Sequence, residues 1–204
     1  MNPTVSALQA TFGTAIGRAQ VARDGETVVA VAPSRLLEVM RWLKETPDQT
    51  YDYLVDVTAV EYRDRERPLE VVYFLRSLGR RADLRVKVEL DAAAELAVDS
   101  VWGLWRGADW LEREVFDMFG ITFRGHPDLR RILMWETYAE GYPLRKDFPL
   151  RGRFSRAEQV RQALNANPEA HYSLDELSIA DASGDLPDDV RERLRRGERG
   201  TLPE

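Results

Sequence analysis

Asp83-Leu84-Arg85-Val86-Lys87-Val88-Glu89-Leu90 is the stretch that decides the fold. Leu84, Val86, Val88 and Leu90 alternate strictly with Asp83, Arg85, Lys87 and Glu89. Successive side chains of a strand point to opposite faces, so this pattern predicts a strand with one buried and one wet face. Upstream, Leu69 to Arg76 reads as a second strand. Tyr51 to Glu61, dense in Tyr, Val and Thr, reads as a third. A charged stretch, 62–68, and a turn marked by Gly79 join the three. Connections this short imply antiparallel pairing.

Working toward the N-terminus, Asp24-Gly25 lies between the runs Gln20–Arg23 and Glu26–Ala32. This suits a hairpin whose turn needs positive φ. Val5 to Ile16 predicts a short amphipathic helix through Leu8, Phe12 and Ile16. Leu36, Leu37, Val39, Met40 and Leu43 predict another, with Ser34 as its N-cap. The expected fold class is α+β: an antiparallel or mixed sheet with helices packed on one side, over residues 1–120. Near the end of this core, Asp99 is a plausible cap for a segment holding Val101, Trp102 and Trp105. Asp109 with Glu112 three residues on resembles a capping box, and Gly120 stands where a left-handed C-terminal cap is expected. Trp110, Leu111, Val115, Met118 and Phe119 form the stripe to be buried between them.

Past Ile121 periodicity fades. Residues 121–150 are rich in Gly, Pro, Arg and aromatic side chains and read as an extended strap that docks on partners. Irregular backbone cannot satisfy all its own hydrogen bonds, and another protein's surface can. Residues 151–204 hold nine Arg and eleven acidic residues with few large apolar ones, which predicts a polar, partly helical or mobile tail. Helices are expected over Arg156–Leu164 and Asp188–Arg196.

Composition narrows the function. The 204 residues are 44% hydrophobic, enough for one ordinary core, and carry a net charge of −6 with no clustered basic footprint for nucleic acid. With no cysteine, the chain has no disulfide, thiolate zinc site or Cys-ligated iron–sulfur cluster. No apolar run is long enough for a membrane span, and the first residues do not read as a secretory signal.

Chemistry-bearing residues concentrate in Glu112–Leu133 and Gly141–Leu150. Glu114 and Asp117 share a helix face, but a dinuclear carboxylate site wants Glu followed three residues later by His, and this helix has no His. Arg113, four before Asp117, offers a local ion pair. His126, beside Pro127, is a loop histidine: an anchor for the loop, a partner contact, or a catalytic group with no nucleophile motif nearby. Arg130, Arg131, Arg145 and Lys146 lack a glycine-rich phosphate loop, and Asp128 and Asp147 are interleaved with them. Ion pairing within the strap or across an interface is the blander reading. Of the five tryptophans, Trp135 is the best candidate for an interface anchor.

Both stretches resemble the 30-kDa-type subunit family of complex I, the C subunits of NADH–quinone oxidoreductase. The family signature (Glu-Arg-Glu, two residues, an acid, two apolar residues, six residues, His, three residues, a basic residue, one residue, two apolar residues) is filled without a gap by Glu112 through Leu133. Gly-Tyr-Pro-Leu-Arg-Lys-Asp-Phe-Pro-Leu, Gly141 to Leu150, matches the family's next block. The resemblance implies a non-catalytic peripheral-arm subunit that carries no cofactor itself, in a complex using FMN, iron–sulfur clusters, NADH and quinone. It implies a place on the cytoplasmic side of the membrane. The partners implied are the 49-kDa-type subunit, the terminal-cluster subunit and a further cluster-bearing subunit. It assigns no catalytic, cofactor or metal residue. The signature residues Glu112, Arg113, Glu114, Asp117, His126, Arg130, Arg131, Trp135, Tyr142, Arg145, Lys146 and Asp147 become the expected partner interface. The same signature occurs in related membrane-bound hydrogenases and ferredoxin-fed quinone reductases, which is the alternative reading.

Overall fold

A computed structural model describes residues 2–63, 65–91, 95–150 and 152–166. The chain divides into two units, 1–154 and 155–204, and each is described by itself. In the first, helix α1 (Pro3–Phe12) leads into β1 (Ile16–Val21) and β2 (Thr27–Val31), then α2 (Leu36–Glu45). Strands β3 (Tyr53–Glu61), β4 (Leu69–Ser77) and β5 (Ala82–Leu90) follow. A short strand β6 (Ala97–Asp99), helix α3 (Ala108–Phe119) and strand β7 (Thr122–Arg124) come next.

The five-stranded sheet has the order β1-β2-β5-β4-β3. The hairpin at Asp24-Gly25 forms, with Gly25 at φ +86 and β1 antiparallel to β2. Strands β3, β4 and β5 pair antiparallel as their short connections require. However, β5 lies parallel to β2, so the sheet is mixed. The reason is that α2 crosses between β2 and β3, which makes β3 parallel to β2; two reversals later β5 has that direction again. This neighbour relation is set by the crossover and has no local signal.

Register explains the alternation. Tyr73 pairs with Val86, Val71 with Val88 and Leu75 with Leu84, and all six are buried. Leu36, Val39, Met40 and Leu43 of α2 join the same core, fully shielded. Burying side chains of this size stabilises by about 1.5–3 kcal/mol each. The opposite face carries cross-strand ion pairs: Arg76 to Asp83 at 2.6 Å and Lys87 to Glu70 at 2.8 Å.

Several local expectations are corrected. Helix α1 stops at Phe12, since Gly13 adopts φ +54, and Ile16 opens β1 instead of ending a helix. Ser34 is not a helix cap, because Pro33–Arg35 forms a 3-10 turn before α2 starts. Asp99 caps nothing: it lies on β6 and accepts from Arg124 of β7 at 3.0 Å. The parallel pair β6–β7, three residues each, was hidden in stretches that looked irregular. Trp110 is 62% exposed rather than part of the buried stripe.

In the second unit, α4 (Arg156–Ala166) matches the expected helix, with Glu158 holding Arg161 at 2.6 Å. The helix expected over Asp188–Arg196 lies outside the described residues.

Candidate functional site: a helix locked to its strap

Helix α3 ends as expected: Gly120 takes φ +74, and its N–H reaches the Phe116 carbonyl. A Cβ at Gly120 would overlap the ring of Tyr142, so the strap's aromatic ring lies directly on the helix terminus. The start of α3 differs from expectation. Gly107 holds the N-cap position and no side chain caps the helix. Glu112 turns inward instead. It is fully buried, with Oε2 accepting from the Ser100 hydroxyl at 2.6 Å and Oε1 from the Val101 N–H at 2.8 Å. Burial pushes its carboxyl up to about 7, against the pull of those two donors.

Asp117 is the centre of the lock. Its Oδ2 accepts from three successive backbone N–H groups, Ile132 at 3.1 Å and Leu133 and Met134 at 2.8 Å. The Arg131 guanidinium reaches Oδ1 at 2.5 Å. Burial would raise this carboxyl, but the N–H of Met134, the Arg131 guanidinium and the N–H groups of Ile132 and Leu133 outweigh it and hold it below its ordinary value. Arg113, expected to pair with Asp117, instead donates to the carbonyls of Arg130 and Arg131, each at 3.1 Å. Helix α3 therefore offers a carboxylate to strap N–H groups and a guanidinium to strap carbonyls. Irregular backbone needs both.

The second block is held in the same way. Arg131 also reaches the Gly141 carbonyl at 3.2 Å. Arg145 donates to the Phe119 carbonyl at 2.7 Å, a cation at the negative end of α3. Leu144 N–H bonds the Met118 carbonyl at 3.1 Å, and Lys146 N–H bonds Glu61 of β3 at 2.6 Å. The guanidinium groups of Arg131 and Arg145 both lie over the Tyr142 ring, 5.4 and 5.6 Å from its centroid.

His126 is an anchor by geometry. Its side chain is shielded, Nδ1 accepts from the Asp128 N–H at 3.1 Å, and Nε2 lies 3.2 Å from the Asp109 carbonyl. That network assigns the proton to Nε2. Trp135 packs edge-on against Tyr138, 4.9 Å between centroids, and is half-buried.

The signature thus splits. Glu112, Arg113, Asp117, His126, Arg131 and Arg145 are turned inward, most of them onto the chain's own strap. Glu114, Arg130, Lys146 and Asp147 are exposed, as are the apolar Leu133 at 60% and Leu144 at 52%. Sequence reasoning missed Ser100, which meets Glu112 from the end of β6, and the buried Tyr73 of β4, whose hydroxyl is pushed up by burial first and then by the charge of Glu112. Neither stands in a motif, and only the tertiary fold brings them there. Among the described residues no group of three or more His, Cys, Asp or Glu side chains is arranged to hold a metal ion, and no helix is long and apolar enough to cross a membrane.

The family model described as respiratory-chain NADH dehydrogenase, 30 Kd subunit, matches residues 29–154. The chain is 50% identical over 128 residues to a C subunit (numbered 2) of the NADH-quinone oxidoreductase of Rhizobium etli, covering 63% of this chain and 67% of that protein. It is 46% identical over 128 residues to the corresponding C subunit of Citrifermentans bemidjiense, covering 63% and 77%. Its structure is similar to a trypsin-resistant fragment of Nqo5, with TM-score 0.53 and 29% identity over 61% of this chain and 97% of the fragment. A chain of the membrane-bound sulfane sulfur reductase, an archaeal respiratory membrane complex, shares the fold at TM-score 0.58 and 22% identity, covering 78% and 88%.

Proposed function

Because this chain belongs to the 30-kDa subunit family of respiratory-chain NADH dehydrogenase, a subunit of an oxidoreductase complex, we propose that its own work is assembly rather than bond-making. The core folds the strap 121–150 into one fixed shape. The outward residues of that shape dock on the 49-kDa-type subunit, with the terminal-cluster subunit and a further cluster-bearing subunit as neighbours. FMN, iron–sulfur clusters, NADH and quinone belong to the complex and are bound outside this chain. The complex translocates protons and holds this chain on the cytoplasmic face of the membrane.

The observation that carries the reading is the Asp117 cradle. A buried carboxylate spent on three strap N–H groups and one guanidinium leaves no free valence for chemistry. Its effect is to preorganise the strap, which lowers the ordering cost of binding. Leu133 and Leu144, held outward, supply apolar contacts; Glu114, Arg130, Lys146 and Asp147 around them set orientation more than affinity.

The test uses Leu133→Asp, Leu144→Asp and the charge reversal Arg130→Glu in the native organism. The chain is expected to melt as the wild type does, to be lost from the purified complex, and to reduce NADH–quinone activity in proportion to that loss. A variant complex with full occupancy by this chain and no turnover would refute a purely assembling role.

A second reading, an equivalent subunit in a related membrane-bound hydrogenase or ferredoxin-fed quinone reductase, is favoured by the shared fold with the sulfane sulfur reductase chain. Gentle purification through a tag on this chain separates the two. An NADH-oxidising complex supports the first, and a complex with hydrogenase but no NADH activity the second.

A further inference from the structure

The N-terminal half of α3 holds a polar cluster centred on Glu112, apart from the Asp117 lock. Glu112 is fully buried, and its two oxygens accept from Ser100 and Val101. Among the described residues no Lys or Arg pairs with it, and the groups facing it are mostly acidic or neutral. Asp109, on its own helix, adds negative charge. Strand β4 contributes Tyr73, fully buried, whose hydroxyl has no hydrogen-bond partner among the described residues. From β6 comes Asp99, occupied by Arg124 of β7. The turn after β7 brings His126, with Nε2 at 4.0 Å from Oε2. Lys44 of α2 is committed to the Leu104 carbonyl. On β3, which α3 packs against, Tyr53 and Asp56 are exposed and Glu61 serves the Lys146 N–H.

We propose that Glu112 is a proton-operated latch: the neutral carboxyl closes α3 onto the Ser100–Trp102 segment, and loss of its proton loosens that joint. A carboxylate enclosed without a cation is costly, whereas the neutral acid is not. Ser100 transmits the change, because its Oγ accepts from the Trp102 N–H at 3.1 Å while donating to Glu112. Opening the joint lets water reach the carboxylate.

The sign follows from linkage. The closed form binds the proton up to about pH 7, whereas an open, hydrated glutamate releases it near its ordinary value of 4.5. Closure is therefore strongest below the ordinary value and is lost as pH rises to about 7. Opening increases roughly tenfold per pH unit across that window and levels off above it.

Two measurements on the full chain test this. With glutamate carboxyls isotopically labelled, the infrared band of a neutral carboxyl should disappear with a midpoint near pH 7. It should be absent in Glu112→Gln. In Ser100→Ala, which removes a donor that favours the ionised form, the midpoint should move higher. Hydrogen exchange at the Val101 and Trp102 amides, corrected for intrinsic rates, should show the tenfold-per-unit rise in the wild type and a flat profile in Glu112→Gln. A wild type with no neutral-carboxyl band at about pH 6, or a band that survives in Glu112→Gln, overturns the proposal. If Glu112→Gln fails to fold, Ser100→Ala decides alone, and an unmoved midpoint overturns it.

Discussion

Replacing Asp117 with Asn keeps the side chain's shape and removes its charge, which isolates the lock. In the wild type one oxygen takes the N–H groups of Ile132, Leu133 and Met134, and the other takes Arg131. An amide has one acceptor oxygen and one donor nitrogen. If the oxygen faces the three N–H groups, the NH2 faces a guanidinium; if it flips, the NH2 faces three N–H groups. Either way donors oppose donors. Hydrogen bonds to a charged acceptor are worth about 1.5–3 kcal/mol each, and neutral ones roughly half as much. Breaking a buried ion pair by altering one partner costs about 3–5 kcal/mol. Arg131 keeps part of its support from the Asp117 and Gly141 carbonyls, both at 3.2 Å. A net local loss of about 3 kcal/mol follows, which is roughly a hundredfold in the opening equilibrium. Hydrogen exchange on the full chain reads this directly. The amides of Ile132, Leu133 and Met134 should lose about a hundredfold in protection, while those of β4 and β5 change by no more than about threefold. Trypsin should cut faster after Arg130 and Arg131. Unchanged exchange at 132–134 would refute the lock. An equal loss across the sheet would show that the strap is not a locally stabilised element.

The other predictions concern the same joint. Gly120→Ala forces a side chain into a left-handed position and against Tyr142; its melting temperature should fall by several degrees, at about 2–4 °C per kcal/mol for a chain of this size. Acid should release the strap: the lowered Asp117 carboxyl contributes stability that is present above its ordinary value of 3.8 and is lost as pH falls through the lower folded value. Protease cutting at Arg130 and Arg131 in acid, with the sheet amides still protected, is the expected result. Leu133→Asp is expected to leave the melting temperature within a degree or so, about 0.5 kcal/mol or less, since the side chain is exposed, and to act only on incorporation into the complex.

Features that obey a local period or a local steric demand were legible in the chain alone. The β5 alternation told which of its residues are buried, because strand geometry has period two. Asp24-Gly25 and Gly120 announced a turn and a helix end, since both glycines take positive φ. The signature from Glu112 to Leu133 and the block from Gly141 to Leu150 announced the family. Where the charged side chains go was decided only in three dimensions. Arg113 and Asp117 are four apart on a helix, yet each turns to strap backbone 15 to 18 residues away in the chain, because unpaired N–H and carbonyl groups offered better partners than a helical neighbour did. Glu112 occupied a capping-box position by spacing, but the Ser100 hydroxyl and Val101 N–H drew it into the core. The parallel contact of β2 with β5, and the charge of Glu112 that bears on the buried Tyr73, likewise depend on segments distant in sequence arriving together. A period can be read from one segment; a hydrogen-bond partner is chosen by competition among all groups the fold brings within reach, and that competition has no local signature.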